Sequence, residues 1–258
     1  MRPKTKKILF VFTTLVFMFF YIPIIILMAF SFNDSKVGTV WTGFTFKWYG
    51  SLFSNEAIIN SVTNSLIIAV VTTLIATVFG TLAALAIHRY NFPGKQAINF
   101  LFYIPVVIPD IIVAVALLAL YGWLDVTLGI ATVFPGHVAI TISYVMLVVI
   151  ARMAGLDASL EEAAKDLGAN EWQTFWKITF PLIFPGVLAG ALLAFTISLD
   201  EFVISYFTTG PGSDTLPVLV YSMVRLGVSP EINALSTIMV LLIVIMVFAT
   251  GRKMSVSK

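Results

Sequence analysis

Three carboxylates interrupt sequence that is otherwise apolar. Asp110 lies in the run 97–121, which also carries Pro105 and Pro109, and Asp200 and Glu201 lie in the run 184–207. A carboxylate at the centre of a lipid-facing helix costs roughly 2.5–3.5 kcal/mol, so three would cost around 8–10 kcal/mol by simple addition. Such groups belong on a bundle interior or a water-filled path. No Lys or Arg falls within the apolar cores to neutralise them. Three ion-pairing chemistries remain: a cationic solute, a coupling ion, or a base from another subunit. The purely structural alternatives are pairing with a neighbouring subunit and placement near the outer interface. At about 1.5 Å per residue, Asp110 falls near mid-depth counted from Asn99, and Asp200 and Glu201 fall in the outer third counted from Gly186. Ser198, Trp48 and Tyr49 are weaker candidates toward the outer end of such a path. The two aromatics equally fit an interfacial belt.

Other chemistries lack their residues. There is no cysteine, which excludes disulfides and thiolate metal sites. His88 and His137 have no partner pattern for a metal and read as ordinary loop or span-end residues. No G-x-x-x-x-G-K-[ST] phosphate loop occurs; Gly94-Lys95 is followed by Gln96. No G-x-S-x-G, H-E-x-x-H or S-x-x-K context is present either. The sequence therefore predicts neither an enzyme nor a resident cofactor or metal.

The second informative stretch is 156–181, LDASLEEAAKDLGANEWQTFWKITFP, a polar segment between apolar runs. Ser159 and Glu162 have capping-box spacing. Leu156, Leu160, Ala163, Ala164 and Leu167 share one helical face. Gly168 suits a left-handed helix end, and Asn170 with Gln173 starts a second helix. Pro181 then fits the first turn of the next apolar helix. From Asp157 to Pro181 five carboxylates face two lysines, a net of three negative charges. Nucleic acid and anionic lipid both call for the opposite sign. A docking element for a protein partner is the reading that survives.

These elements must be held by a membrane protein. The 258 residues are 59% hydrophobic and 11% charged, with mean hydropathy +1.01, against roughly 25% charged in soluble domains. Six apolar spans are expected, at about 8–30, 61–87, 97–121, 137–153, 184–207 and 234–250, forming one transmembrane domain over 1–258. The first has no A-x-A cleavage pattern and reads as an uncleaved helix. The connections 31–60, 122–136 and 208–233 read as loops. Twelve of the fifteen Lys and Arg fall at the termini, in the turn HRYNFPGK (88–95) and, as Arg152, Lys165 and Lys177, between the fourth and fifth spans, against Lys36, Lys47 and Arg225 on the other side. The positive-inside rule then puts both termini and 156–181 in the cytoplasm.

Glu162-Ala163-Ala164, Gly168, Ile178 and Phe180-Pro181 together resemble the EAA motif of membrane-spanning permease subunits of binding-protein-dependent ABC importers. The family pattern has Leu where Phe180 stands. The turn at 88–95 is similar to turns in that family. SLDEFVISYFTTGPGSDTLPVLVYSMVR (198–225) and IPVVIPDII (104–112) resemble its spermidine/putrescine branch, the C-type subunit. The resemblance implies an all-α type I ABC importer permease fold with six transmembrane helices and a cytoplasmic coupling helix between helices 4 and 5. It implies ATPase coupling through Glu162, Ala163, Ala164, Gly168, Glu171, Ile178 and Pro181, and ATP and Mg bound only by the partner ATPase. It implies two copies of that ATPase, a second permease subunit, a periplasmic polyamine-binding protein, and location in a bacterial inner membrane. A permease for another cationic solute, a secondary transporter or a cation channel are the competing expectations.

Overall fold

The computed structural model describes residues 3–35, 40–157, 159–227, 230–241 and 244. Among them the secondary structure is helical, apart from one antiparallel bridge between Asn33 and Phe44. The chain forms two compact units, Met1–Ile59 with Leu219–Lys258, and Asn60–Val218.

In the first unit, α1 (Pro3–Phe30) is apolar on all sides and exposed along its membrane-length window. Buried Asn33 donates to the Val40 carbonyl and accepts from the Thr42 amide, which closes the segment on itself. The short helix α2 (Lys47–Ser54) follows. Ser51 of α2 hydrogen-bonds Glu231 of α12 (Pro230–Leu241). The expected sixth span, 234–250, has only its first part in α12. Residues 242–243 and 245–250 lie outside the described residues, as do Arg2, Lys36 and the C-terminal bases Arg252, Lys253 and Lys258.

The second unit carries the remaining long helices. The first of them, α3 (Glu56–Arg89), has its opening residues in the other unit. After the turn come α4 (Lys95–Val107) and α5 (Asp110–Trp123), then α6 (Ile130–Met153). The expected third span, 97–121, is thus two helices bent by 104°. Pro109 explains the break. The residue before a proline is pushed out of the helical region, and Ile108 is extended at φ −74°, ψ 133°. The fourth apolar helix starts at Ile130, seven residues before the expected 137, because Pro135 and Gly136 are accommodated inside it. His137 is therefore in a helix interior, not at a span end.

The polar stretch forms α7 (Ser159–Asp166), then α8 (Glu171–Thr174), a π-turn (Phe175–Thr179) and α9 (Phe180–Asp200). Glu171–Asp200 is one continuous helix of 30 residues. Pro181 stands in the first turn of α9, as its residue type predicts, but α9 continues the turns before it. Its ring would crowd the carbonyl four residues back, and the wide π-turn ends just before it, with the Phe180 amide bonded to Phe175 O. Beyond α9 come α10 (Val203–Thr208) and α11 (Leu216–Leu226), which occupies part of the expected 208–233 loop. Among the described residues four helices are long and apolar enough to cross a bilayer, five if the bent pair counts as one span.

The core lies between α3, α6 and α9, around Ala76, Ala84, Val145, Met146, Val149, Ile183 and Ala194. Lipid gives helices little hydrophobic reason to associate, so close approach through small residues supplies the packing. Gly80 shows it: a Cβ there would lie 2.8 Å from Val145 Cβ and 2.9 Å from the Ile142 carbonyl oxygen. Gly80→Val should therefore lower the stability of the solubilised protein by about 1–3 kcal/mol through overpacking. Gly122→Ala, where a Cβ meets nothing within 4 Å, should change it by less than about 0.5 kcal/mol. Thermal unfolding in detergent checks both, and equal melting of Gly80→Val and the parent chain would contradict the tight crossing.

Candidate functional site

Two helix breaks place the acids. Asp110 is the first residue of α5, directly after the Pro109 bend, and is exposed. Asp200 is the last residue of α9 and exposed, and Glu201 is its half-buried C-cap, extended at ψ 101°. The expected fifth span thus breaks at its acids, and α10 resumes two residues later. Packing brings the breaks together: Ala114 of α5, Ile140 of α6 and Ile204 of α10 form one buried cluster with Val113, Leu117 and Val203. Gly136 permits that approach, since a Cβ there would lie 2.6 Å from Ile204 Cγ2. That cluster lies one turn after Asp110 on α5 and three residues after Glu201 at the start of α10. One Glu201 oxygen accepts from the Ile204 amide at 2.9 Å, an orphan donor at the start of α10. Among the described residues no Lys or Arg forms an ion pair with any of the three acids.

The weaker candidates are all engaged locally. Ser198 is buried and its hydroxyl contacts His137 at 2.9 Å. In the first unit, Trp48 is buried and donates to the Asn33 carbonyl at 2.7 Å. Tyr49 shares a 2.7 Å hydrogen bond with Ser31 and packs against Phe32 and Phe46.

The polar stretch forms a second site on the same unit. Gly168 has φ +85°. Its amide donates to Lys165 O and that of Ala169 to Ala164 O, at 2.9 and 3.0 Å, the paired bonds of a Schellman helix end. Asn170 accepts from the Gln173 amide at 2.9 Å, and Gln173 accepts from the Asn170 amide at 3.2 Å, a complete capping box. At the front of α7 the structure differs from the expected Ser159–Glu162 pairing. Asp157 accepts from the Ser159 amide at 3.0 Å, so Ser159 is already inside the helix. The hydrogen bonds from Ser159 hold the Asp157 carboxyl below the usual carboxylate range. Lys165 reaches across the turn to Glu171 at 2.6 Å and, by hydrogen bond and charge, lowers that carboxyl too. A lowered carboxyl contributes at neutral pH and loses its contribution as pH falls through the glutamate range.

Of the motif residues, Glu162, Ala163, Gly168, Glu171 and Pro181 are exposed, and Ala164 and Ile178 are half-buried. Leu167 is 90% exposed, and Trp172 and Trp176, edge-to-face with each other, are exposed as well. Large apolar side chains left exposed in so polar a stretch are unusual for a solvated surface. Sequence reasoning did not find what holds α7. Arg89, at the end of α3, donates to Glu161 and to Thr179 Oγ1, and Thr179 in turn donates to Glu161, the last two contacts being 2.7 Å. The clamp joins α3, α7 and the π-turn. Its partners are 72 and 90 residues apart, and the only sequence signal was an arginine ending a long apolar run.

Apolar helices broken at carboxylates, with a polar helix pair between two of them, match a known class. Residues 76–252 match the family of binding-protein-dependent transport system inner membrane components, and the chain belongs to it. It is 43% identical over 239 residues to the spermidine/putrescine transport system permease protein PotC of Escherichia coli strain K12, covering 93% of this chain and 90% of that one. It is 44% identical over 230 residues to the putrescine transport system permease protein PotI of the same strain, covering 86% and 82%. A membrane chain of a bacterial ABC transporter for the acidic polysaccharide alginate superimposes with TM-score 0.77 at 20% identity, covering 99% of this chain and 98% of that one, which establishes the shared fold.

The clamp makes a direct prediction. Hydrogen bonds to charged groups contribute about 1.5–3 kcal/mol each, so Arg89→Ala should speed amide exchange in α7 about tenfold or more. Hydrogen exchange on the solubilised protein measures this, and unchanged protection would show that α7 holds its place without Arg89.

Proposed function

We propose that the chain is the membrane-spanning permease subunit of an ATP-driven importer that carries polyamines into the cytoplasm by alternating access. The observation that carries this reading is the placement of Asp110, Asp200 and Glu201 at two helix breaks, with no ion pair to a Lys or Arg among the described residues. Fold does not supply the substrate; the same fold serves a transporter whose cargo is acidic. Carboxylates do supply it, because flexible polycations are held by charge-assisted hydrogen bonds and, where aromatic rings line the path, by cation–π contact. Trp48, Tyr49 and Ser198 then serve the outer part of the path by shaping its walls, since their polar atoms are already engaged. The relatives' names support the polyamine class.

The work is divided among partners. A periplasmic binding protein delivers the polyamine, and a second permease subunit completes the path. Two copies of a separate ATPase bind the ATP and Mg. One copy docks on 156–181, where Glu162, Ala163 and Leu167 are exposed, with Glu171, Ile178 and Pro181 on the helix that follows. The protein sits in a bacterial inner membrane with six spans, the coupling helix between the fourth and fifth, and both termini in the cytoplasm. ATP shifts the two access states only through differential affinity for them, and α7 is the element that senses it.

Two measurements test the reading. Asp110→Asn, Asp200→Asn and Glu201→Gln keep shape and remove charge, so each should lower spermidine-stimulated uptake about ten- to a hundredfold, while the ATPase still co-purifies. Unchanged uptake in all three, with the complex intact, would remove the polycation from the proposal. Gly168→Val should weaken ATPase coupling instead. The left-handed conformation costs a residue bearing a Cβ about 1–2 kcal/mol, and no neighbour lies within 4 Å of an added Cβ. Gly168→Asn, which tolerates that conformation, should retain most of the coupling, measured as ATP hydrolysed per solute transported.

A further inference from the structure

We infer that His137 is a positioning residue for the acids at the α9–α10 break, a role that rests on the polyamine reading above. The ring is only 2% exposed, and both nitrogens are engaged. Nδ1 lies 2.9 Å from Ser198 Oγ, in the last turn of α9, and Nε2 lies 3.0 Å from Ser205 Oγ, in α10. Ser205 donates its one hydroxyl proton to the Glu201 carbonyl at 2.9 Å. Ser205 therefore accepts from Nε2–H, and the Nδ1 lone pair accepts the Ser198 proton. For the neutral ring the network thus selects a single tautomer.

One side chain of α6 thus ties the two helix ends that flank Asp200 and Glu201, and the chain of bonds finishes on the backbone of Glu201 itself. A buried histidine that served packing alone would need only local acceptors. Here its partners straddle the break, seven residues apart in sequence, and they satisfy a carbonyl that the break has left without its helical donor. The spacing of the two carboxylates is thereby referred to α6, against which α9 and α10 both pack. A flexible polycation reads that spacing directly, because each carboxylate must meet a separate ammonium group.

The test uses the assembled importer and spermidine as the probe. His137→Asn retains an acceptor for Ser198, His137→Gln retains a donor for Ser205, and His137→Ala retains neither. The absence of native cysteine in this chain permits spin labels at positions 192 and 206, exposed on either side of the break. His137→Ala should raise the KM for spermidine about three- to tenfold, the equivalent of one or two hydrogen bonds, with kcat within about twofold. It should also broaden the 192–206 distance distribution. His137→Asn and Ser205→Ala should show equal, smaller shifts that do not add in the double variant. If Asp200→Asn raises KM while all His137 variants leave both KM and the distance distribution unchanged, the inference is overturned. If the acid variants leave KM unchanged but His137→Ala still broadens the distances, His137 does position the break and the polyamine reading is what fails. Should His137→Ala not assemble, the Asn and Gln variants carry the same comparison.

Discussion

Inside a hydrocarbon layer a backbone amide or carbonyl has no water to turn to, and an unsatisfied group costs several kcal/mol. This molecule breaks its apolar helices all the same, at Ile108–Pro109 and at Glu201–Phe202. Each break has to be repaired by something nearby, and the repairs account for much of the second unit. Glu201 caps the start of α10, Ser205 takes the Glu201 carbonyl, and Thr132 of α6 takes the Thr208 carbonyl at 2.7 Å. Arg152 donates to the Leu182 carbonyl at 3.0 Å, beside Pro185, whose missing amide weakens the same turn of α9. The last two of these bonds come from α6, many of whose residues are buried.

The acids follow from the same constraint. A carboxylate is tolerated within an apolar sequence where the backbone is already irregular and polar groups already cluster. Asp110 directly follows the proline that makes its break, and Asp200 and Glu201 are the break in the fifth apolar run. Chemistry and architecture therefore occupy the same few residues. A substitution there changes both, and charge-only replacements separate them.

Much of this was legible from residue types. Gly168, Asn170 and Gln173 announce their turn because capping chemistry is local, and the structure forms the bonds their spacing predicts. The acids stood out because charge is rare in apolar runs. What was not legible depends on distance in the chain or on competition between neighbours. The clamp of Arg89, Glu161 and Thr179 joins residues far apart in sequence, and so does the pairing of His137 with Ser198 and Ser205. The third run reads as one span by composition, and only the backbone restriction imposed by Pro109 divides it. Pro181 marks the start of α9, where proline is common. That a π-turn joins α9 to the helix before it leaves no signature in residue type.

That longer helix has a mechanical consequence. From Glu171 to Asp200 it runs 30 residues, about 45 Å at 1.5 Å per residue. One end carries the capped turn beneath the exposed tryptophans, and the other carries the acids. Moving as one body, a helix of that length acts as a lever: by simple geometry on the same rise per residue, a tilt of one degree at the near end displaces the far end by about 0.8 Å. Five degrees moves the carboxylates by roughly the width of an ammonium group, with no side chain changing rotamer and no signal relayed from residue to residue.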